Sequence, residues 1–300
     1  MSERVEYDEF SMFRENAEEF GIAWEGPPTV RREVVGLGDG RTLSALVWGD
    51  GPPEMVLIHG GAQNAHTWDT VALALARPLV AIDLPGHGHS GPPAEGPTDL
   101  DTNAADIAVT IEALAPEAGM VVGMSLGGLT SIALATARPD LVSRLALVDI
   151  TPGVNHDKAK AIAAFVNGPA SFDSFDDLLA RTIEHNPTRT ETSLRRGILH
   201  NAEQLDDGSW VWRHARHRVF ADRNVRRDYG VLWDSIEESS APLMLVRGTR
   251  AQSVIDDADE AELRQRRPDA RVEHVDAGHS VQGDAPIELA RLIEDFAAHD

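Results

Sequence analysis

Apolar positions along this chain fall into short runs separated by amphipathic stretches, and the rhythm changes twice. Residues 1–28 mix charged and apolar residues at helical spacing and predict an N-terminal helical extension. Thr29 to Trp48 reads as two strands, TVRREVVGL and RTLSALVW, on either side of Gly38-Asp39-Gly40, which suits a hairpin turn. From EMVLIHG onward, apolar strands alternate with helical segments: a helix near His66 to Ala76, PLVAIDLPG, a helix near Asp101 to Ala115, GMVVGMS, a helix through about Ala137, and RLALVDI. Strands alternating with crossover helices predict an α/β fold, a mostly parallel doubly wound sheet with chemistry at the carboxyl ends of its strands.

The alternation stops after Thr151-Pro152-Gly153 and resumes only at APLMLVRG, followed by the helical ADEAELRQRRP, the strand RVEHVDAG and a final helix from about Pro286. The predicted organisation is therefore an α/β core at 29–150 and 241–300 with an inserted helical cap at 151–240. Phe165, Phe172, Phe175, Trp210, Trp212, Phe220 and Trp233 of the insertion suit either its own core or a pocket for an apolar or aromatic molecule. Several arginines between Trp210 and Arg227 (Arg213, Arg216, Arg218, Arg223, Arg226, Arg227) suit pairing with surface acids or, less simply, a substrate carboxylate.

Composition narrows the function classes. A formal charge of -22, with the acids spread along the chain, repels nucleic-acid phosphates and anionic lipid, so neither is an expected partner. The chain has no cysteine, which removes disulfides, thiol nucleophiles and thiolate metal sites. The first residues hold no continuous apolar stretch, so neither a signal peptide nor a membrane helix is expected and a cytoplasmic location is.

Gly123-Met124-Ser125-Leu126-Gly127 matches G-x-S-x-G and falls between the strand MVV and the helical LGGLTSIALATA. A sharp strand-to-helix turn there would lift Ser125 Oγ clear of the sheet, at a helix N-terminus that favours negative charge. With HGGAQNAHTW after the third strand, IDLPGHGHS after the fourth and AGHSVQGDAP after the last, in that order, the chain resembles the α/β-hydrolase family from about Thr29 to its C-terminus. The resemblance implies a serine hydrolase without a cofactor. His279 would be the general base, and the backbone N–H groups of Leu126 and Gly61 would form the oxyanion hole. His59 and Gly60 would shape that loop, Asp83 would brace loops, and His87, His89 and Ser90 would be structural. His66 and Trp68 are candidates for substrate binding, with packing at the start of the next helix as the alternative. His156, His185, His200, His214 and His217 of the insertion read as solvent-facing, and no histidine spacing matches a metal site.

The family most often takes its triad acid from the loop after the strand corresponding to APLMLVRG, but here that loop reads Thr249-Arg250-Ala251-Gln252-Ser253. Some members use the end of the preceding strand, where Asp149 stands, so Asp149 is the expected acid and Asp256 or Asp257 the alternatives. The expected activity is hydrolysis of a carboxylic ester or lactone of a small molecule through an acyl-enzyme. Carbon–carbon bond hydrolysis, perhydrolysis and a non-catalytic small-molecule receptor on the same fold are the other readings. The sequence leaves the oligomeric state open.

Overall fold

The computed structural model describes residues 4–94, 99–154, 157–186, 189–216 and 229–298. Helix α1 (Phe13–Phe20) leads into the hairpin of β1 (Val30–Gly36) and β2 (Thr42–Trp48), paired antiparallel with Gly36 opposite Thr42. Gly38 and Gly40 both take positive φ in the turn, as its composition suggests. Then follow β3 (Met55–Ile58), a 3₁₀ turn (Ala65–Trp68), α2 (Asp69–Leu75), β4 (Leu79–Ile82), α3 (Leu100–Leu114), β5 (Met120–Met124), α4 (Leu126–Ala137) and β6 (Arg144–Val148). The insertion carries α5 (Lys160–Val166), β7 (Ser171–Phe172), α6 (Phe175–His185), α7 (Glu191–Asn201), β8 (Ala202–Gln204), β9 (Trp210–Trp212), α8 (Arg213–Arg216) and α9 (Leu232–Glu238). The chain ends with β10 (Leu243–Gly248), α10 (Asp257–Arg266), β11 (Arg271–Val275), α11 (Val281–Asp284) and α12 (Pro286–Ala298).

The main sheet has the order β1-β2-β4-β3-β5-β6-β10-β11, parallel from β4 to β11. Each central strand is buried on both faces and splits its residues between two layers with period two. Val56, Ile58, Val121, Leu145 and Leu245 pack toward α3, α4 and α9. Met55, Leu57, Val122, Ala146 and Val246 pack toward α1, α2 and α12. Sequence order reverses between β3 and β5, so the loops after these two strands flank the crevice where open α/β sheets place ligands.

The insertion departs from the helical reading in two respects. It contains a three-stranded antiparallel sheet, β7-β9-β8, because Trp210-Val211-Trp212 alternates with strand period and Gly208 turns the chain at φ 91° ahead of it. In addition, Leu232, Trp233 and Ile236 of α9 lie in the core layer on α4, so the core resumes before residue 241. Trp210 and Trp212 form a separate cluster with Leu178, Ile198 and Leu199. Met12 joins that cluster while its neighbour Phe13 packs under the sheet, so the N-terminal extension ties core to insertion.

Candidate active site

Ser125 occupies the single residue between β5 and α4, with φ 51° and ψ -119°. A side chain in that region costs about 1–3 kcal/mol, and it persists only where the surroundings force it. Two glycines allow the turn on steric grounds. A Cβ on Gly127 would come within 2.3 Å of the Ile58 carbonyl oxygen, and one on Gly123 within 2.6 Å of that of Gly127. The turn therefore brings α4 directly onto the end of β3. Among the described residues the non-glycines with positive φ are Ala62, Ala76, Ser125 and Asp149, and three of these four stand at the carboxyl edge of the central strands.

Met124 and Val148 are paired across β5 and β6, so Ser125 and Asp149 are the first residues beyond two adjacent parallel strands. The Asp149 carboxylate is fully buried. Its Oδ2 lies 2.9 Å from His279 Nδ1 and accepts from Val254 N (3.1 Å), while Oδ1 accepts from Gly248 N (2.9 Å) and Ser253 Oγ (2.6 Å). Such a set of donors is what allows a carboxylate to be held in a fixed direction away from water. A Cβ on Gly248 would lie 2.6 Å from the carbonyl oxygens of Ala277 and Gly278, so β10 must be bare there for the histidine loop to pass.

Asp256 and Asp257 do not reach His279. Asp256 caps α10, accepting from the N–H groups of Ala258 and Asp259, and is paired with Lys158. Asp257 is almost wholly exposed and paired with Arg247. The loop after β10 instead supplies Ser253 and Val254 as donors to Asp149, a contribution that no local pattern in the sequence announces.

The loop after β3 lies against the nucleophile turn, since a Cβ on Gly60 would be 3.1 Å from Ser125 Cβ. His59 is fully buried, and burial pushes its pKa below the ordinary histidine value. Leu84 N donates to its Nε2 (3.0 Å), which assigns the ring proton to Nδ1 and makes that atom the donor to Gly60 O at 2.7 Å. Gln63 N also donates to Gly60 O, at 3.2 Å. In a trans peptide the N–H opposes the C=O, so the direction of the Gly61 N–H depends on how firmly these two bonds are held. Leu126, the other expected donor, is the first residue of α4. Gln282, three residues past His279, links the histidine loop to this region through Thr67 Oγ1 (3.2 Å) and Gln63 Oε1 (3.4 Å).

Two expected substrate contacts are corrected. Trp68 is fully buried in the layer beneath the sheet, because the 3₁₀ turn directs its ring inward against α2. His66 is buried in a polar cluster: its Nδ1 is 2.9 Å from Asp69 Oδ2 and its Nε2 3.2 Å from Glu9 Oε1. Neighbouring carboxylates overcome the cost of burial and hold His66 up at about 9, while His66 and Arg32 hold Glu9 down at about 2. His200 from α7 stacks on His66 with ring centroids 3.7 Å apart. His66, Asp69 and His200 are close enough to share a metal ion. However, the two imidazole planes are only 12° from parallel, so their in-plane lone pairs do not converge on one point.

Asp83 braces loops as expected, accepting from Ala65 N (2.7 Å), His89 N (3.0 Å) and Arg32 (2.9 Å), while Ser90 Oγ donates to its carbonyl. The solvent-facing reading fails for His200 and His214, which are buried; His185 is half-buried, and His156 and His217 lie outside the described residues. Arg213 and Arg216 pair with Glu203, and Arg218, Arg223, Arg226 and Arg227 lie outside the described residues. A cavity of about 530 Å³ lies between the insertion and the loop after β10, lined by Lys158, Lys160, Ala164, Ser253, Val254 and Asp256 among others. Lys158 and Lys160 are the only lysines in the chain, and Lys158 Nζ joins Asp259 at 2.6 Å as well as Asp256.

The sequence model of the alpha/beta hydrolase family matches residues 55–292. Esterase Rv0045c of Mycobacterium tuberculosis is 43% identical over 295 residues, covering 95% of this chain and 94% of that protein. Its crystal structure superposes with a TM-score of 0.85, at 42% identity, over 98% of this chain and 99% of that one. The 2-(acetamidomethylene)succinate hydrolase of Mesorhizobium japonicum is 27% identical over 259 residues, or 85% of this chain and 91% of the relative. Among the described residues no helix is long and apolar enough to cross a membrane.

Proposed function

Because this chain belongs to the α/β-hydrolase family, we propose that it cleaves a carboxylic ester or lactone of a small molecule through an acyl-enzyme on Ser125. Ser125 Oγ attacks the acyl carbon as its proton passes to His279 Nε2. The N–H groups of Gly61 and Leu126 receive the developing oxyanion. Collapse of the tetrahedral intermediate breaks the bond to the leaving oxygen, which takes the proton from His279. Water then repeats the sequence to release the acid, and Asp149 holds the Nδ1–H of the imidazole throughout.

The observation that carries this reading is the buried Asp149–His279 pair, 2.9 Å apart, on the strand next to the one that ends at a strained serine. The name of the esterase relative supports the ester class. The aromatic residues of the insertion lend no weight to an aromatic substrate, since Trp210 and Trp212 pack into its own core.

The test is covalent labelling with a fluorophosphonate together with turnover of short-chain p-nitrophenyl esters. Wild type should label stoichiometrically at Ser125 and hydrolyse the ester. Ser125→Ala should label not at all and lose several orders of magnitude in turnover while keeping its thermal midpoint, because alanine keeps the Cβ and removes only a half-buried hydroxyl. Esterase activity of Ser125→Ala close to wild type would remove the reading.

A further inference from the structure

We propose that Asn201, the last residue of α7, is a positioning residue for the oxyanion loop, so that docking of the inserted cap sets the direction of the Gly61 N–H. This rests on the assignment of Gly61 as an oxyanion donor. The Gly61 N–H shares a peptide with Gly60 O, which accepts from His59 Nδ1 and from Gln63 N, and Gln63 N shares a peptide with Ala62 O, so whatever holds Ala62 O bears on the second of these bonds. The chain then passes through Ala62 at φ 60°, a conformation that glycine would adopt freely and alanine adopts only under constraint.

The constraint arrives from the insertion. Asn201 Nδ2 donates to Ala62 O at 2.5 Å, pinning the peptide that follows the strained residue. Asn201 Oδ1 in turn accepts from Asn64 Nδ2 (3.2 Å), and Asn64 Oδ1 accepts from His66 N, so the amide of Asn201 is itself oriented by the loop it holds. His200, the preceding residue of α7, stacks on His66 and fixes the end of the helix against the same loop. The Gly61 N–H is thus held from two sides: by His59 of the core directly through Gly60 O, and by Asn201 of the insertion through the Ala62–Gln63 peptide, whose N–H donates to the same oxygen. A donor displaced by a few tenths of an ångström still binds a ground-state carbonyl but stabilises the oxyanion less.

Asn201→Asp and Asn201→Ala test this. The aspartate keeps the shape and the bond from Asn64 but cannot donate to Ala62 O; the alanine removes both without adding a buried charge. Turnover of a short-chain p-nitrophenyl ester is measured per site titrated with a fluorophosphonate, so that loss of folded protein does not count. Inhibition by an alkyl trifluoromethyl ketone, whose hemiketal oxygen occupies the oxyanion position, is measured alongside. Both variants should lose about tenfold in kcat with KM within about twofold, and the inhibition constant for the ketone should rise by the same factor as kcat/KM falls. Wild-type kcat per titrated site and wild-type ketone affinity would overturn the proposal, as would a change confined to KM. If wild type itself fails to label at Ser125, the assignment of the site falls first and the clamp falls with it.

Discussion

Asp149, the triad acid of the proposed mechanism, stands outside the loop where the family most often places that group. It leaves β6 at φ 47°, which aims its carboxylate across β10 toward the histidine loop, and three further donors receive it there. Asp149→Asn replaces one acceptor oxygen by an N–H and favours the wrong imidazole tautomer, so kcat should fall by about 10⁴ in folded protein. Asp256→Asn and Asp257→Asn should each stay within a few-fold of wild type on the same ester; the reverse ranking would relocate the acid. The turn at Ser125 and the loop that carries His279 are legible in the sequence because a strand-to-helix turn and a loop after the last strand are local patterns. The contacts of Ser253, Gln282 and Asn201 are not, since each bonds a partner at least 104 residues away along the chain, where no spacing rule reaches.

At the scale of elements, the core is read closely because its central strands are buried on both sides and show as uninterrupted apolar runs between turn residues. The insertion was read less well: β7, β8 and β9 are two or three residues long, shorter than any window over which alternation stands out from helical spacing. The joint between β5 and α4 depends on absent side chains, and that makes it testable. Gly127→Ala would place a methyl group against the Ile58 backbone, which cannot yield as a flexible side chain would. Overpacking of this kind costs about 1–3 kcal/mol, a fall of roughly 5 °C in Tm. A thermal midpoint equal to wild type would mean that α4 and β3 are not in contact.

Over the whole molecule, N-terminal segment, core and insertion meet in one buried polar junction: Tyr7 and Glu9 from the first, Arg32, His66, Asp69 and Asp83 from the second, His200 from the third. Its pH dependence has two limbs. The raised His66 contributes stability that is full below about 6.5 and is lost as pH rises through about 9. The depressed Glu9 contributes stability that is full above about 4.5 and is lost as pH falls toward about 2. His66→Gln should therefore flatten the alkaline limb, so that the difference in Tm between wild type and variant shrinks steadily from pH 6 to pH 10. A difference independent of pH would show that His66 is neutral in the junction.

The pair of lysines beside the cavity has a practical consequence. Since Lys158 is engaged with Asp256 and Asp259 and Lys160 is exposed on α5, both side-chain amines of the protein stand at the margin between insertion and core. Coupling chemistry aimed at amines would attach a tether or dye at that margin or at the N-terminus and nowhere else. A fluorophore placed on either lysine would report directly on how the insertion sits over the sheet.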